Sequence, residues 1–220
     1  MGNYNNFAQE YADKTAEMEK ETRRHFYSLL PDLAGKTLLD VGCGSGHDAV
    51  YYSSHGAVVN GIDISDKEIE MVRKLNCGTF IVGSMDTLPY QSNSFDLVTS
   101  FYALQASDNV EKSLLEMIRV AKPGATILIS TKHPLRNLLE NMVNDKKSDY
   151  YNMGTVTSYI FNREIKLTEP GHTMSEYLSK EVLENTILEK FEEHTDFPVS
   201  DQVIPGSNYP TFMILKFRKR

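Results

Sequence analysis

Residues 38–46 read LLDVGCGSG, an apolar run that passes directly into a turn with glycine at every second position. Gly42, Gly44 and Gly46 lack a Cβ atom, so the backbone of this turn can approach a ligand closely. A helix that begins after such a turn points its first backbone N–H groups at that ligand. We therefore predict a strand, a ligand-binding turn and a helix in succession.

Two acidic residues stand at the ends of the first two predicted strands. Asp40, just before the turn, is suited to hold an ammonium group, and Asp63 closes the run VVNGID at 58–63. An acidic side chain at the end of the second strand can accept hydrogen bonds from both hydroxyls of a ribose. The spacing alone leaves dinucleotides and adenosyl cofactors open. The G-x-G-x-G pattern, together with an Asp40 charge that would repel a pyrophosphate, favours the adenosyl class.

Residues 36–131 alternate between short β-branched or aliphatic runs and longer amphipathic segments. This alternation predicts βαβ units and a parallel sheet covered by helices on both faces. Asp66 and Asp108 are the predicted N-caps of two of the helices. The predicted strands are 37–41, 57–62, 79–82, 95–101 and 125–130, and the clearest helices are 66–75 and 109–121.

The flanking segments complete one predicted domain, 1–220. Apolar residues at helical spacing over 7–30 predict an N-terminal helical cap, 1–35, on the cofactor-binding core, 36–131. The polar, tyrosine-rich segment 132–173 is expected to be an irregular lid or substrate insert with one hairpin, formed by 156–161 and 164–167. A helix at 175–190 and a strand at 211–217 are predicted within 174–220.

The composition narrows the possible partners. The chain has 220 residues, a formal net charge of −7 and two cysteines. An acidic balance argues against non-specific nucleic-acid binding and against an anionic membrane surface. No run approaches the ~20 apolar residues that cross a bilayer, and the N-terminus has no signal-peptide pattern. We expect a cytoplasmic monomer or homodimer that binds neither nucleic acid, membrane nor metal.

From residue 36 to about 131 the chain resembles the class I S-adenosylmethionine-dependent methyltransferases, in the ubiquinone/menaquinone-type small-molecule branch. The resemblance rests on 38–46, on Asp63, and on the segments GSMDTLP (83–89), NSFDLVTS (93–100) and AKPGA (121–125). It implies an α/β, Rossmann-like, doubly wound sheet of seven mostly parallel strands, with the last strand inserted antiparallel. It also implies S-adenosyl-L-methionine as the cofactor.

The resemblance implies a set of cofactor-binding residues. One departure is Ser84, which stands where the family commonly has Asp, so the backbone N–H of Met85 is the expected contact to the adenine ring. The expected cofactor-binding residues are Tyr11, Asp40, Gly42, Cys43, Gly44, Gly46, Asp63, Ile64, Ser84, Met85, Asp86 and Ser100.

Residues outside these motifs are candidates for the acceptor side. His133 follows the fifth predicted strand and His172 precedes the late helix, and either imidazole could be a general base near neutral pH. Tyr102, Tyr151 and Tyr177 are the candidate substrate-binding residues, because aromatic walls suit an amine or a heterocycle. These residues favour an amine or a heterocyclic nitrogen as the acceptor.

The segment SFYA at 100–103 lacks the two prolines found in methyltransferases of this class that act on nucleobases or glutamine amides. We therefore predict methyl transfer to N or O of a small molecule. Two alternatives remain open at this point. One is a nicotinamide-dependent oxidoreductase, and the other is a non-catalytic module that binds an adenosyl cofactor.

Overall fold

A computed structural model describes residues 19–160, 165–195 and 203–220, and its centre is a sheet of seven strands. The strands are β1 (Thr37–Val41), β2 (Val58–Asp63), β3 (Thr79–Val82), β4 (Phe95–Phe101), β5 (Ala121–Lys132), β8 (Thr186–His194) and β9 (Phe212–Lys219). A separate hairpin pairs β6 (Thr155–Ile160) with β7 (Ile165–Pro170).

The strand order is β3-β2-β1-β4-β5-β9-β8. The first five strands of this order are parallel, whereas β9 runs antiparallel to both β5 and β8. The order reverses between β1 and β4, and ligands of such sheets bind outside the carboxyl ends of the strands at this point. The predicted mostly parallel sheet with an antiparallel last strand is confirmed.

Seven α-helices flank the sheet in the described part of the chain. They are α1 (Lys20–Ser28), α2 (His47–Ser54), α3 (Asp66–Arg73), α4 (Val110–Val120), α5 (Pro134–Glu140), α6 (Met174–Tyr177) and α7 (Lys180–Asn185). Successive residues of β1 point to opposite faces: Leu38 packs with α2 and α3 in one core cluster, and Leu39 packs with α4 in the other. This two-sided burial explains why the strands read as continuous apolar runs.

The two predicted N-caps are each displaced by one residue. Ser65 rather than Asp66 caps α3, because its side chain accepts a hydrogen bond from the Glu68 N–H. Asn109 rather than Asp108 caps α4, because its side chain accepts from the Lys112 N–H. In each case the cap is the residue whose oxygen reaches the third helical N–H group.

The predicted helix at 175–190 is wrong over its second half. The chain forms the short helices α6 and α7 and then enters β8 at Thr186, which pairs with β9. The strand TILEKFEEH lies at the edge of the sheet, and charged residues are common on edge strands because they oppose pairing with other chains. Its leucine, glutamate and lysine also favour helix, which accounts for the error.

The segment 132–173 is more regular than expected. It contains α5, a π-helical turn at Asn141–Asp145, a 3₁₀ turn at Tyr150–Asn152 and the hairpin of β6 and β7. The predicted hairpin is therefore confirmed, although its turn, 161–164, lies outside the described residues. A lid function for this segment stays a prediction.

The N-terminal cap is described only from residue 19, and there it forms α1. Phe26 of α1 is fully buried against Phe101, Leu128 and Ile214 of the sheet. Tyr11 lies outside the described residues. Within the described ranges, no helix combines the length and the apolar character needed to cross a membrane.

Candidate active site

The glycine turn between β1 and α2 adopts backbone conformations that favour glycine. Gly42, Gly44 and Gly46 have φ angles of +75°, +50° and +91°. A Cβ at Gly42 would lie 2.1 Å from the Cβ of Ala103, and one at Gly46 would lie 2.2 Å from a methyl group of Val72. The turn therefore depends on its glycines both for backbone angle and for space.

Asp63 is held at the carboxyl end of β2 by backbone donors. Its Oδ2 accepts from the Gly44 N–H at 2.9 Å, and its Oδ1 accepts from the Ser65 N–H at 2.9 Å. Burial raises the pKa of Asp63, and these backbone hydrogen bonds oppose that rise. The carboxylate is thus fixed directly beside the glycine turn, with lone pairs left over for hydroxyl donors.

Asp40 is a buried carboxylate with one oxygen in use. Its side chain is 1% exposed, and Oδ1 accepts from the Thr99 hydroxyl at 3.0 Å. Oδ2 has no hydrogen-bond partner among the described residues. Burial, aided by the nearby charge of Asp48, raises the pKa of Asp40 well above its ordinary value. An unsatisfied buried carboxylate oxygen is costly, and a cationic ligand would satisfy it.

The carboxyl end of β4 carries two of the expected site residues. Ser100 is fully buried, and its hydroxyl has no partner in the described parts of the chain. Tyr102 follows the strand with a φ of +49°, a left-handed conformation that is strained for a non-glycine residue. Such strain is concentrated at functional sites. Both residues lie on the edge that carries Asp40 and Asp63.

Four further residues of the expected cofactor-binding set differ in their surroundings. The Ile64 side chain is 48% exposed beside Asp63, an open apolar surface that suits a heterocycle. Met85 approaches Gly42, with its Cε 3.9 Å from where a Gly42 Cβ would stand. Asp86 has a structural role: its Oδ1 accepts from the hydroxyls of Ser107 and Ser113. Ser84 accepts from the Asp86 N–H at 3.2 Å.

Cys43 has a packing role in the structure. Its side chain is 5% exposed and belongs to the core cluster beneath α2 and α3. Its N–H donates to Ile62, and its carbonyl accepts from the Gly46 N–H. The Cys43 side chain therefore faces the core, and a cofactor contact at this residue stays a prediction.

The two candidate bases are placed very differently. His133 caps α5: its Nδ1 accepts from the Leu135 N–H at 3.0 Å, and its Nε2 lies 2.9 Å from Glu193. Burial lowers the pKa of His133, although Glu193 opposes this. His172 is 2% exposed, and neither ring nitrogen has a hydrogen-bond partner in the described chain. These surroundings favour His172 as the base and give His133 a capping role.

Two of the candidate substrate-binding tyrosines differ sharply in burial, and their contact with a substrate stays a prediction. Tyr151 is 86% exposed, and its ring lies edge-on to that of Tyr150. Tyr177 is fully buried in the core, with its hydroxyl 3.3 Å from Thr131 at the end of β5. The neighbouring Tyr150 accepts a hydrogen bond at its hydroxyl from the Met174 N–H, close to His172.

Groups that sequence reasoning missed surround the glycine turn. Glu68 has one buried oxygen without a partner in the described chain, and burial and Asp63 raise its pKa to about 7. The pattern Ser65-x-x-Glu68 resembles a capping box and was the available signal. On the opposite side, Arg23 of α1 forms a buried ion pair with Asp48 in the first turn of α2 and lies over the Phe101 ring.

Comparison with known proteins agrees with this geometry. Residues 39–129 match the family described as "methyltransferase domain". That segment holds the glycine turn, Asp63 and the strained end of β4. It covers most of the sheet and excludes β8 and β9. The match covers 91 of the 220 residues.

Two curated relatives share part of the chain. Norajmaline N-methyltransferase from Rauvolfia serpentina is 35% identical over 107 residues, 45% of this chain and 37% of the relative. Demethylmenaquinone methyltransferase from Renibacterium salmoninarum is 32% identical over 114 residues, 51% of this chain and 48% of the relative. The matched parts therefore span less than half the length of each relative.

A solved structure matches over a greater length. The S-adenosylmethionine-dependent methyltransferase from Mesorhizobium loti superposes with a TM-score of 0.70 at 22% identity. The match covers 89% of this chain and 96% of that one. At this identity the likeness establishes a common fold, and it extends beyond residue 129 to nearly the whole chain.

Proposed function

Starting from a methyltransferase domain at residues 39–129, we propose that the protein binds S-adenosylmethionine and transfers its methyl group to N or O of a small molecule. The observation that carries this proposal is the buried, unpartnered Oδ2 of Asp40 in the described structure. An ammonium group beside it would satisfy the carboxylate and lower its pKa, whereas a pyrophosphate would be repelled. A nicotinamide dinucleotide therefore fits this turn poorly.

The proposed site offers a partner for three parts of the cofactor. Asp40 would hold the ammonium, Asp63 the ribose hydroxyls, and the exposed side chain of Ile64 one face of the adenine. The glycine turn lets the backbone approach without a Cβ in the way. The cofactor supplies an activated methyl group, so the main task of the protein is to position the acceptor.

On the acceptor side, we assign His172 as the general base. A nitrogen or oxygen that carries a proton must lose it when the methyl group is added, and a ring nitrogen of His172 would take that proton. Support comes from its buried setting: within the described chain neither ring nitrogen accepts or donates a hydrogen bond, and Nδ1 lies 3.6 Å from Oε1 of Glu176. Its ring also lies edge-on to Tyr177, whose hydroxyl contacts Thr131 at the carboxyl end of β5.

The choice of nitrogen as the first acceptor to test has two supports. Tyr102, at the end of β4, and Tyr150, near His172, offer aromatic surfaces on which an amine can pack. The plant relative that shares the domain is named as an N-methyltransferase. A hydroxyl acceptor would use the same base, so both kinds of acceptor belong in the screen.

Calorimetric titration with S-adenosylmethionine, S-adenosylhomocysteine and NADH tests the cofactor. We expect micromolar binding of the two adenosyl ligands, no binding of NADH, and loss of binding in Asp63→Ala. The control is Asp66→Ala, since Asp66 is exposed and is not an expected site residue. Binding of NADH alone would instead support the oxidoreductase alternative.

A screen of amines and phenols with labelled S-adenosylmethionine tests the reaction. Once an acceptor is found, His172→Gln should lower kcat about 100-fold without weakening cofactor binding, because a positioned base contributes roughly that factor. His55→Ala, at an exposed histidine, is the control. Cofactor binding without transfer to any acceptor would favour the non-catalytic alternative, and an unchanged kcat in His172→Gln would reject His172 as the base.

A further inference from the structure

Two histidines and a glutamate from distant parts of the chain meet between α1 and β8. The Nε2 of His25 lies 2.7 Å from Oε2 of Glu192, and the Nε2 of His194 lies 3.1 Å from the same oxygen. The ligand atoms of the three residues all lie within 4.8 Å of one another. His25 and Glu192 are 167 positions apart, so only the fold reveals this cluster.

The backbone holds the three side chains in place. Glu192 and His194 are two residues apart on β8 and therefore point to the same face of the strand, toward α1. The His194 ring stacks on Phe212 of β9, with centroids 5.3 Å apart. Lys190 binds the other oxygen of Glu192 at 2.9 Å, which turns Oε2 toward the two imidazoles.

We propose that His25, Glu192 and His194 bind one Zn²⁺ ion that fastens α1 to β8. Two imidazoles and a carboxylate are an established zinc ligand set, with metal–ligand distances of about 2.0–2.2 Å and a fourth position left for water. The two separations to Oε2 of Glu192, 2.7 and 3.1 Å, are close to the spacing of neighbouring ligand atoms around such an ion, so side-chain movements would admit it. All three side chains are partly exposed, which leaves a path for the metal.

Such a metal would bear on the candidate active site through α1. Arg23 and Tyr27 each lie two residues from His25 on α1. Both side chains contact Asp48, which lies beside the glycine turn. A metal that holds α1 against the edge strand would also hold these contacts. The metal site itself does not depend on the proposed methyl transfer.

Metal analysis of untagged protein tests the proposal. After treatment with a chelator, equilibration with Zn²⁺ and dialysis, wild-type protein should retain about one zinc per chain. Saturating zinc should raise Tm by about 5 °C, because a ligand that binds only the folded state stabilises it. The His25→Gln variant should lose at least nine-tenths of the zinc and the whole rise in Tm.

The variants are chosen to separate metal binding from folding. His25→Gln can still donate a hydrogen bond to Glu192, so it keeps the contact between α1 and β8 while removing an imidazole ligand. The double variant His55→Ala, Glu189→Gln removes an exposed histidine and another β8 carboxylate, and it should bind zinc as the wild type does. Absence of zinc from the wild type, or equal zinc in wild type and His25→Gln, would overturn the proposal and leave a hydrogen-bonded cluster only.

Discussion

Gly46 is the residue at which backbone angle and available space are both restricted most clearly. Its φ is +91°, and a Cβ there would meet Val72 of α3 at 2.2 Å. Gly124 has a similar φ of +79° but nothing within 4 Å of an added Cβ. The two glycines therefore separate the cost of the left-handed conformation from the cost of crowding.

We predict that Gly46→Ala destabilises the protein by about 3 kcal/mol, against about 1 kcal/mol for Gly124→Ala. Urea unfolding followed by tyrosine fluorescence measures both, since the chain has 12 tyrosines and no tryptophan. Gly46→Ala should also abolish binding of S-adenosylmethionine. Equal costs for the two substitutions would show that the contact with Val72 relaxes freely.

Asp40 allows a residue-scale test of which part of the cofactor it holds. We predict that Asp40→Asn weakens S-adenosylmethionine binding at least tenfold, because a hydrogen bond between charged groups contributes about 1.5–3 kcal/mol. Methylthioadenosine shares the nucleoside but lacks the ammonium group, so its affinity should change little. Calorimetry with both ligands decides the matter, and an equal loss for the two would place Asp40 away from the ammonium.

At the scale of elements, a buried ionic network joins β5 to the segment 132–173. Lys132, at the end of β5, contacts Glu140 of α5, Ser158 of β6 and Glu169 of β7. Arg136 adds a hydrogen bond to Glu140 at 2.9 Å. All five side chains are buried. Buried ion pairs and hydrogen bonds therefore attach the hairpin and α5 to the core.

We predict that Lys132→Met destabilises the protein by about 3–5 kcal/mol, because it leaves buried carboxylates with less compensation. Lys180→Met is the matched control, since Lys180 is 77% exposed and should cost at most about 0.5 kcal/mol. Urea unfolding monitored by circular dichroism compares them. A cost for Lys132→Met no larger than for the control would mean that water enters the network.

At the scale of the whole molecule, the same network makes stability depend on pH. Burial alone would raise the pKa of Glu140, but Lys132 and Arg136 outweigh burial and hold it at about 2. A carboxyl whose pKa is lower in the folded state stabilises the fold above its unfolded pKa. That contribution is lost as the pH falls from about 4.5 toward 2.

We therefore predict that Glu140→Gln is less stable than the wild type at pH 7 and that the difference shrinks by on the order of 3 kcal/mol between pH 5 and pH 2. Glu184 is 64% exposed, so Glu184→Gln should have nearly the same free energy of unfolding as the wild type at every pH in this range. Chemical unfolding at several pH values provides the measurement. A difference that stays constant with pH would show that Glu140 does not titrate with unfolding.

Much of the cofactor-binding core, 36–131, could be predicted from the sequence because the patterns that indicate it are local. The strand–turn–helix at 38–54 follows from an apolar run and alternating glycines, and the predicted β1, β3 and β4 have the observed bounds. The position of Asp63 follows from the next strand end. Such features depend on backbone preferences and on periodic burial, which neighbouring residues carry by themselves.

The tertiary structure alone decided the features that depend on contacts distant in the chain. The sequence TILEKFEEH favours helix, yet pairing with β9 makes it a strand. Tyr177 enters the core while Tyr151 stays exposed, which tyrosine content cannot distinguish. Likewise, His25 meets Glu192, and Lys132 meets Glu169, only after the sheet has formed. The environment of a side chain is set by packing between segments that are distant in the sequence, so a local sequence pattern does not predict it.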